Sequence, residues 1–365
     1  MSIFSKIARG FSAFKTNTGK AHPNDQGTNP ATTKRSPVKR ATGLDPLTDD
    51  LDGDLWQGGV SVGTPLSAFT GKSLQSLPTC RRLTIPSVDF DTGSSDFFLP
   101  GPECTDANCQ GHKVFQTGQS STAVDQHKTF SIEFADGSTV AGEIFTDTVN
   151  LAGLTATKQA VVAATQYSDG FVLANSPPDG LLGLAFESIA NTGASPVFQT
   201  LVTEGQTTSS VFGVTLLDNG GELFLGGTDT SAFTGSLAFA DLIVTDPPAF
   251  WEITASSVSV GNKRVVTRAQ DAIVDTGTTL LIVDPNSATE IFAAISGSRN
   301  AANEVGEGFF TIPCNDIPSD VSFTVAGEAF TLSPDTLNFG QVSKGSSDCI
   351  ASIIGADLGK QLSLE

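Results

Sequence analysis

The sequence predicts a mostly β chain built as two similar lobes. Three observations predict it. Short apolar runs rich in Val, Ile, Phe and Thr alternate with Gly or Asp-Gly turns, as in "TFSIEFADGSTVAGEIFTDTV", "GELFLGG" and "DVSFTVAGEAFTLSP", which are strand and hairpin signals. Helical periodicity is confined to two places, around Ser195–Thr203 and Ser287–Ile295, the second opened by cap-type residues in "DPNSATEIF". And one short grammar occurs twice. "VDFDTGSSDFFLPG" (Val88–Gly101) and "AIVDTGTTLLIVD" (Ala272–Asp284) each run from apolar residues through Asp-Thr-Gly and two hydroxyl residues into apolar residues again. The two acids, Asp91 and Asp275, are 275 − 91 = 184 residues apart. That spacing is too long for a solenoid period and fits two lobes, each offering one carboxylate. A chain of 365 residues is long enough for two cores.

Charge divides the chain. Residues 1–40 hold eight Lys/Arg and one Asp/Glu, whereas residues 41–365 hold twelve Lys/Arg and thirty-eight Asp/Glu. Such an acidic body argues against nucleic acid as a partner. It also suits work in acid, where carboxylates lose charge and few cations remain to repel one another. Lys39-Arg40 stands where the sign changes, which marks a dibasic processing point between a basic pro-segment and an acidic mature chain. An incidental basic pair is the other reading. No apolar stretch is long enough to span a membrane, and "MSIFSKIARGFSAFKTNTGK" lacks the apolar core of a signal peptide. The chain has no Asn-x-Ser/Thr acceptor. Of five cysteines, Cys104 and Cys109 enclose a short loop, Cys314 and Cys349 bracket a strand-rich segment, and Cys80 is left over. Disulfides fit a secreted or vacuolar protein. Zinc is the alternative, but His22, His112 and His127 do not fall at ligand spacings.

Taken in order, these elements resemble the pepsin-like aspartic proteases of the fungal type, over most of residues 41–360. "VSVGTP" (Val60–Pro65) resembles the strand and turn before the first catalytic segment, and "DFDTGSSDFFLPG" resembles that segment. "CTDANC" resembles the family's small disulfide loop, and "FSIEFADGSTVAGEIFTDTV" its flap hairpin. "DGLLGLAF" (Asp179–Phe186) resembles the apolar-apolar-Gly element behind the first catalytic loop. "GELFLGGTDTSAFTGSL" resembles the approach to the second lobe, and "AIVDTGTTLL" the second catalytic segment.

The resemblance implies a bilobal acid protease fold with the active-site cleft between two β-rich lobes. It implies an acid endopeptidase with Asp91 and Asp275 as catalytic pair, sharing one proton because two adjacent carboxylates cannot both ionise cheaply. Thr92 and Thr276 would cross-brace the loops. Gly93 and Gly277 would allow tight turns that leave backbone N–H groups facing the carboxylates, and Ser94 and Thr278 would hydrogen-bond the outer oxygens. Phe134, Ala135, Asp136 and Gly137 would form the flap tip over the substrate, with Phe98 opposite. The bonds Cys104–Cys109 and Cys314–Cys349 would form, leaving Cys80 free. No metal or other cofactor is needed. The implied partner is an extended peptide or protein, and the protein would be a monomer, secreted or vacuolar. The implied divisions are a pro-segment at 1–40, a first lobe at 41–218 and a second at 219–365. The alternatives are a non-catalytic binding or inhibitor relative, which commonly loses a catalytic Asp or its Gly, and an inactive truncated product.

Three departures accompany the resemblance. The flap Tyr and its Trp partner are both replaced, by Phe134 and Phe98, so neither leaves an orphaned donor. The segment Leu66–Leu83 intervenes between Pro65 and Thr84 and holds Cys80 with Arg81-Arg82. It reads as a retained intron or as a surface loop, and either way as a poorly packed excursion around which Val60–Gly63 and Ser87–Phe90 still pair. Last, only "SIIG" (Ser352–Gly355) stands where a second apolar-apolar-Gly element and closing strands are expected, so the chain reads as incomplete at both ends.

Overall fold

In a computed structural model, the structure describes residues 14–15, 40–50, 55–64, 86–217, 220–243 and 246–357. The expected excursion at 66–83 with Cys80, nearly all of the pro-segment and the last eight residues lie outside the described residues. What is described is mostly strand, as the alternating sequence predicts. Three short helices accompany it: α1 (Val197–Thr203), α2 (Pro285–Phe292) and α3 (Pro334–Leu337). Helix α2 starts two residues before the predicted position. Asp284 caps it by accepting the N–H groups of Asn286 and Ser287 at 3.0 and 3.1 Å, and Pro285 takes the first turn, where a missing N–H costs nothing. Helix α3, a single turn capped by Ser333, is too short to show a period in the sequence.

The first lobe is one eleven-stranded sheet. Its order is Phe14–Lys15, Val211–Leu217, Gly220–Leu225, Gly43–Asp50, Leu55–Val62, Ser87–Asp91, Gly180–Gly183, Phe97–Pro100, Leu154–Tyr167, Thr139–Leu151 and Val124–Glu133. The sheet also closes on itself, because Leu55–Val62 pairs a second time, with Thr139–Leu151. The predicted pairing of Val60–Gly63 with Ser87–Phe90 is corrected: the strands that hold them are neighbours, but a different part of the first makes the pairing. Gln57, Gly58 and Gly59 face Asp89, Val88 and Ser87, while Val60, Ser61 and Val62 have turned to Leu151, Asn150 and Val149. One strand thus serves two partners in succession, which closes the sheet and leaves no exposed edge there.

The second lobe holds smaller sheets. Lys263–Val266, Glu252–Val260, Val321–Val325 and Glu328–Thr331 run side by side, with Gln270–Ile273 also on Glu252–Val260. Arg299–Asn300, Phe310–Pro313, Asp348–Ala351 and Asn338–Gln341 form another sheet, and Leu281–Val283 pairs in parallel with Ile353–Gly355. The two apolar-apolar-Gly elements are therefore used differently. Gly180–Gly183 is held between Ser87–Asp91 (parallel) and Phe97–Pro100 (antiparallel), whereas Ile353–Gly355 pairs with the strand after the second Asp-Thr-Gly.

Two main cores result. The first gathers Trp56, Val60, Phe90, Leu151, Leu182, Leu184, Phe212, Leu223 and also Trp251; the second runs from Val258 to Ile353 and includes Ile291, Phe292 and Ile312. Each fully buried Leu or Ile contributes about 2 kcal/mol. Both expected disulfides are present, Cys104–Cys109 and Cys314–Cys349, with Cα atoms 5.7 and 5.0 Å apart.

Candidate active site

The strand Ser87–Asp91 buries Val88 and Phe90 on one face and turns Asp89 and Asp91 to the other. Its parallel neighbour sets Asp91 beside Gly183, and the N–H of Leu184 donates to the Asp91 carbonyl at 2.7 Å. The chain then turns at Thr92-Gly93. In the second lobe Gln270–Ile273 ends just before the matching turn at Thr276-Gly277.

The two turns meet, and they meet reciprocally. The Thr92 hydroxyl donates to the Val274 carbonyl at 2.9 Å and accepts the Thr276 N–H at 2.9 Å. The Thr276 hydroxyl donates to the Phe90 carbonyl at 2.5 Å and accepts the Thr92 N–H at 3.1 Å. Across this brace the Asp275 carboxyl lies against Gly93 and the Asp91 carboxyl against Gly277, so the two acids come together. Each carboxylate is also held by its own loop. Gly93 N–H donates to Asp91 Oδ1 at 2.7 Å and Gly277 N–H to Asp275 Oδ1 at 2.8 Å. Ser94 Oγ donates to Asp91 Oδ2, and Thr278 Oγ1 donates to Asp275 Oδ2 at 2.5 Å.

The glycine N–H groups face the carboxylates as expected, and the glycines have a further reason. Neither Gly93 nor Gly277 is in a left-handed conformation. What excludes a side chain is the opposite acid. A Cβ on Gly93 would stand 2.5 Å from Cγ of Asp275, and one on Gly277 would stand 2.7 Å from Cγ of Asp91. Glycine lets the carboxyls come together.

The two acids differ in environment. Asp91 is buried and Asp275 is partly exposed. Burial first, and then the neighbouring Asp275, hold the Asp91 carboxyl well above the ordinary carboxylate range. A third acid, Asp89, sits beside them and is pushed up to about 7 by desolvation and by Asp275. The sequence carried the signal for it, since Asp89 and Asp91 are two apart on one strand and so share a face.

The hairpin of Val124–Glu133 and Thr139–Leu151 turns through Phe134–Ser138. Phe134 N–H donates to the Ser138 carbonyl at 2.8 Å, and Gly137, at φ +82, closes the turn with its N–H on the Phe134 carbonyl. Asp136 accepts the Ser138 N–H at 2.9 Å, and Ala135 completes the tip. The Phe134 ring lies 6.3 Å from Phe98 and 5.7 Å from Phe171, and Phe98 lies 5.5 Å from Phe171. Tyr167 belongs to this group although it is far from the hairpin tip in sequence. It is buried 5.8 Å from Phe98, with its hydroxyl donating to the Asp179 carbonyl. A cavity of about 320 Å³ borders the hairpin, between Glu133, Thr139, Gln166 and Asn191.

Two further acids shape this region and were not singled out from sequence. Asp96, buried, accepts the N–H groups and side chains of Asn191 and Thr192. Asp179, also buried, accepts the N–H groups of Ser87 and Lys113 at 2.9 and 2.7 Å. Among the described residues one His/Cys/Asp/Glu cluster has the dimensions of a metal site, at Cys104, Asp106 and Cys109. Both of its sulfurs are joined in the disulfide, so they are not thiolate ligands.

The chain is similar to known proteins of one family. The family of eukaryotic aspartyl proteases matches residues 85–364. An aspartic protease of Phaffia rhodozyma is 34% identical over 327 residues, covering 89% of this chain and 74% of the relative. Pepsin A of Suncus murinus is 32% identical, covering 90% and 79%, and endothiapepsin of Cryphonectria parasitica is 33% identical, covering 87% and 71%. With a family match over most of its length and relatives above 30% identity, the chain belongs to the eukaryotic aspartyl proteases and is an aspartic-type endopeptidase of the pepsin kind.

Proposed function

We propose that Asp91 and Asp275 are the catalytic pair and that Asp91 carries their shared proton in the resting enzyme. The observation that supports this reading is the close approach of the two carboxyls, each set against the other loop's glycine, one buried and one partly exposed. The ionised Asp275 takes a proton from a water held between the carboxyls. The protonated Asp91 donates to the carbonyl oxygen of the scissile peptide. Water attacks the carbonyl carbon to give a gem-diol, which collapses as the C–N bond breaks and the amine takes a proton from the pair. No covalent acyl-enzyme forms, and the step uses no metal or organic cofactor. Thr92 and Thr276 hold the loops together, Gly93 and Gly277 permit the approach, and Ser94 and Thr278 orient the outer oxygens.

The substrate is an extended peptide, held by main-chain hydrogen bonds beneath the Phe134–Gly137 tip, with the half-buried Phe134 ring offering an apolar surface and the fully buried Phe98 supporting it from within. The lobes are 41–218 and 219–365, with the strand Gly220–Leu225 just past the boundary but in the first lobe's sheet. The protein acts as a monomer on protein substrates, without nucleic acid, in a secreted or vacuolar setting. A non-catalytic relative is the weaker reading, because both Asp-Thr-Gly segments are intact.

The test is proteolysis of an unfolded protein substrate in acid by the full chain and by Asp91→Asn and Asp275→Asn. Each variant should lose activity by on the order of 10³-fold or more. Substantial activity surviving in either one overturns the assignment.

A further inference from the structure

Trp251 stands immediately before Glu252–Val260, the long strand of the second lobe, yet its side chain belongs to the first core. The indole is buried against Phe186 and Phe212, with ring centroids 4.5 and 5.4 Å away. Packing would account for an aromatic residue here but not for its polar contacts. The indole N–H donates to the Leu184 carbonyl at 3.0 Å. Leu184 N–H donates in turn to the Asp91 carbonyl at 2.7 Å. The carbonyl of Trp251 accepts the N–H of Val274, the residue before Asp275, at 3.0 Å. The Val274 carbonyl accepts the Thr92 hydroxyl at 2.9 Å.

These bonds form a closed circuit that runs from Asp91 through Leu184, Trp251 and Val274 to Thr92, the neighbour of Asp91. One residue therefore touches the supports of both loops, by its side chain on one side and its backbone on the other. The two threonine hydroxyls brace the loops against each other directly. Trp251 adds a second attachment, through its own bonds to Leu184 and Val274. Buried hydrogen bonds of this kind are costly to leave unmade, which makes the attachment specific.

We propose that Trp251 is a positioning residue, whose indole N–H and carbonyl tie the Asp91 loop to the Asp275 loop and fix the distance between the two carboxyls. The proposal rests on the assignment of those two acids as the catalytic pair. Its signature is in pH dependence. The charged groups facing Asp91 are Asp275 and Asp89. If the loops loosen, Asp275 withdraws and water enters, so the Asp91 carboxyl falls back toward the ordinary range. Activity that needs a protonated Asp91 is then lost at lower pH.

The experiment compares the full-length enzyme with Trp251→Phe and with a variant carrying β-(3-benzothienyl)alanine at position 251, which keeps a near-indole shape and carries sulfur, which cannot donate, in place of the N–H. Phe212→Leu serves as a control that weakens packing on the same ring and leaves the N–H in place. kcat, KM and the pH profile are measured below each protein's unfolding midpoint. The proposal expects both position-251 variants to lose roughly ten- to a hundredfold in kcat, with KM within about threefold and the alkaline limb moved to lower pH. Phe212→Leu should lower the unfolding temperature and leave the limb in place. If the benzothienyl variant keeps the wild-type kcat and limb, or if Phe212→Leu moves the limb equally, Trp251 is a packing residue and the proposal is wrong. Asp275→Asn, assayed alongside, separates this from failure of the underlying reading, because its retained activity would remove the dyad itself.

Discussion

At the scale of single residues, the site is governed by how close one lobe's acid comes to the other lobe's glycine. Gly93→Ala places a methyl 2.5 Å from Cγ of Asp275, so it should cost at least about 100-fold in kcat while the fold persists, checked by activity beside circular dichroism. Asp89 carries a stability prediction. Its folded pKa of about 7 lies above the ordinary 3.8. A raised carboxyl supports the fold at low pH and withdraws that support as pH rises from about 4 through 7. Asp89→Asn removes the titration, so the variant should gain ~1–2 kcal/mol over the wild type at neutral pH, the side chain's partial exposure screening the rest. Little difference should remain near pH 4. Urea unfolding at the two pH values measures this, and an equal effect at both would contradict it. The sequence made Asp91 and Asp275 legible because their segments repeat. Asp89 was legible in principle, from its period of two with Asp91, but an acid with no repeat gives no second occurrence to compare.

At the scale of elements, buried carboxylates act as pins for loops. Asp96 lies at the start of Phe97–Pro100 and holds the 190–192 loop through two backbone and two side-chain donors. Asp96→Ala would remove the buried acceptor from donors on the exposed Asn191 and half-buried Thr192, which water can partly satisfy, and should cost ~1–2 kcal/mol by urea unfolding. Asp96→Asn, which keeps one acceptor oxygen, should cost less. The hairpins, the capped helix α2 and both disulfides were readable locally, from turn residues, from "DPNS" and from the family's cysteine pattern. The register of Leu55–Val62 was not. Its second half faces Val149–Leu151, 151 − 60 = 91 positions on from Val60 to Leu151, and nothing in a strand's own sequence names so distant a partner. Trp251 eluded the sequence for the same reason, since its partners Phe186, Leu184 and Phe212 all belong to the other lobe's core.

At the scale of the whole molecule, titration favours weak acid. Asp45, Asp89, Asp91, Glu222 and Glu252 are all raised, chiefly by desolvation, so their support is complete at low pH and declines as pH climbs toward neutrality. Asp284 is lowered by its bonds to Ser287, Gln270 and Arg268, against an opposing desolvation, so its support is present above about pH 4 and lost as pH falls further. The unfolding temperature should therefore peak near pH 4–5 and fall on both sides, which calorimetry across pH 2–8 would reveal. A flat profile up to pH 8 would contradict it. The threonine braces have one more consequence, for the time before the molecule is complete. They join positions 184 residues apart in the chain. A ribosome adding about 5–20 residues per second needs roughly 10–40 s to cover that distance. Through that interval the first lobe carries one carboxyl and no counterpart. On the proposal that Asp91 and Asp275 act as a pair, cutting power arrives only when the second lobe is made and docked, and a nascent chain does not digest itself or its neighbours during synthesis.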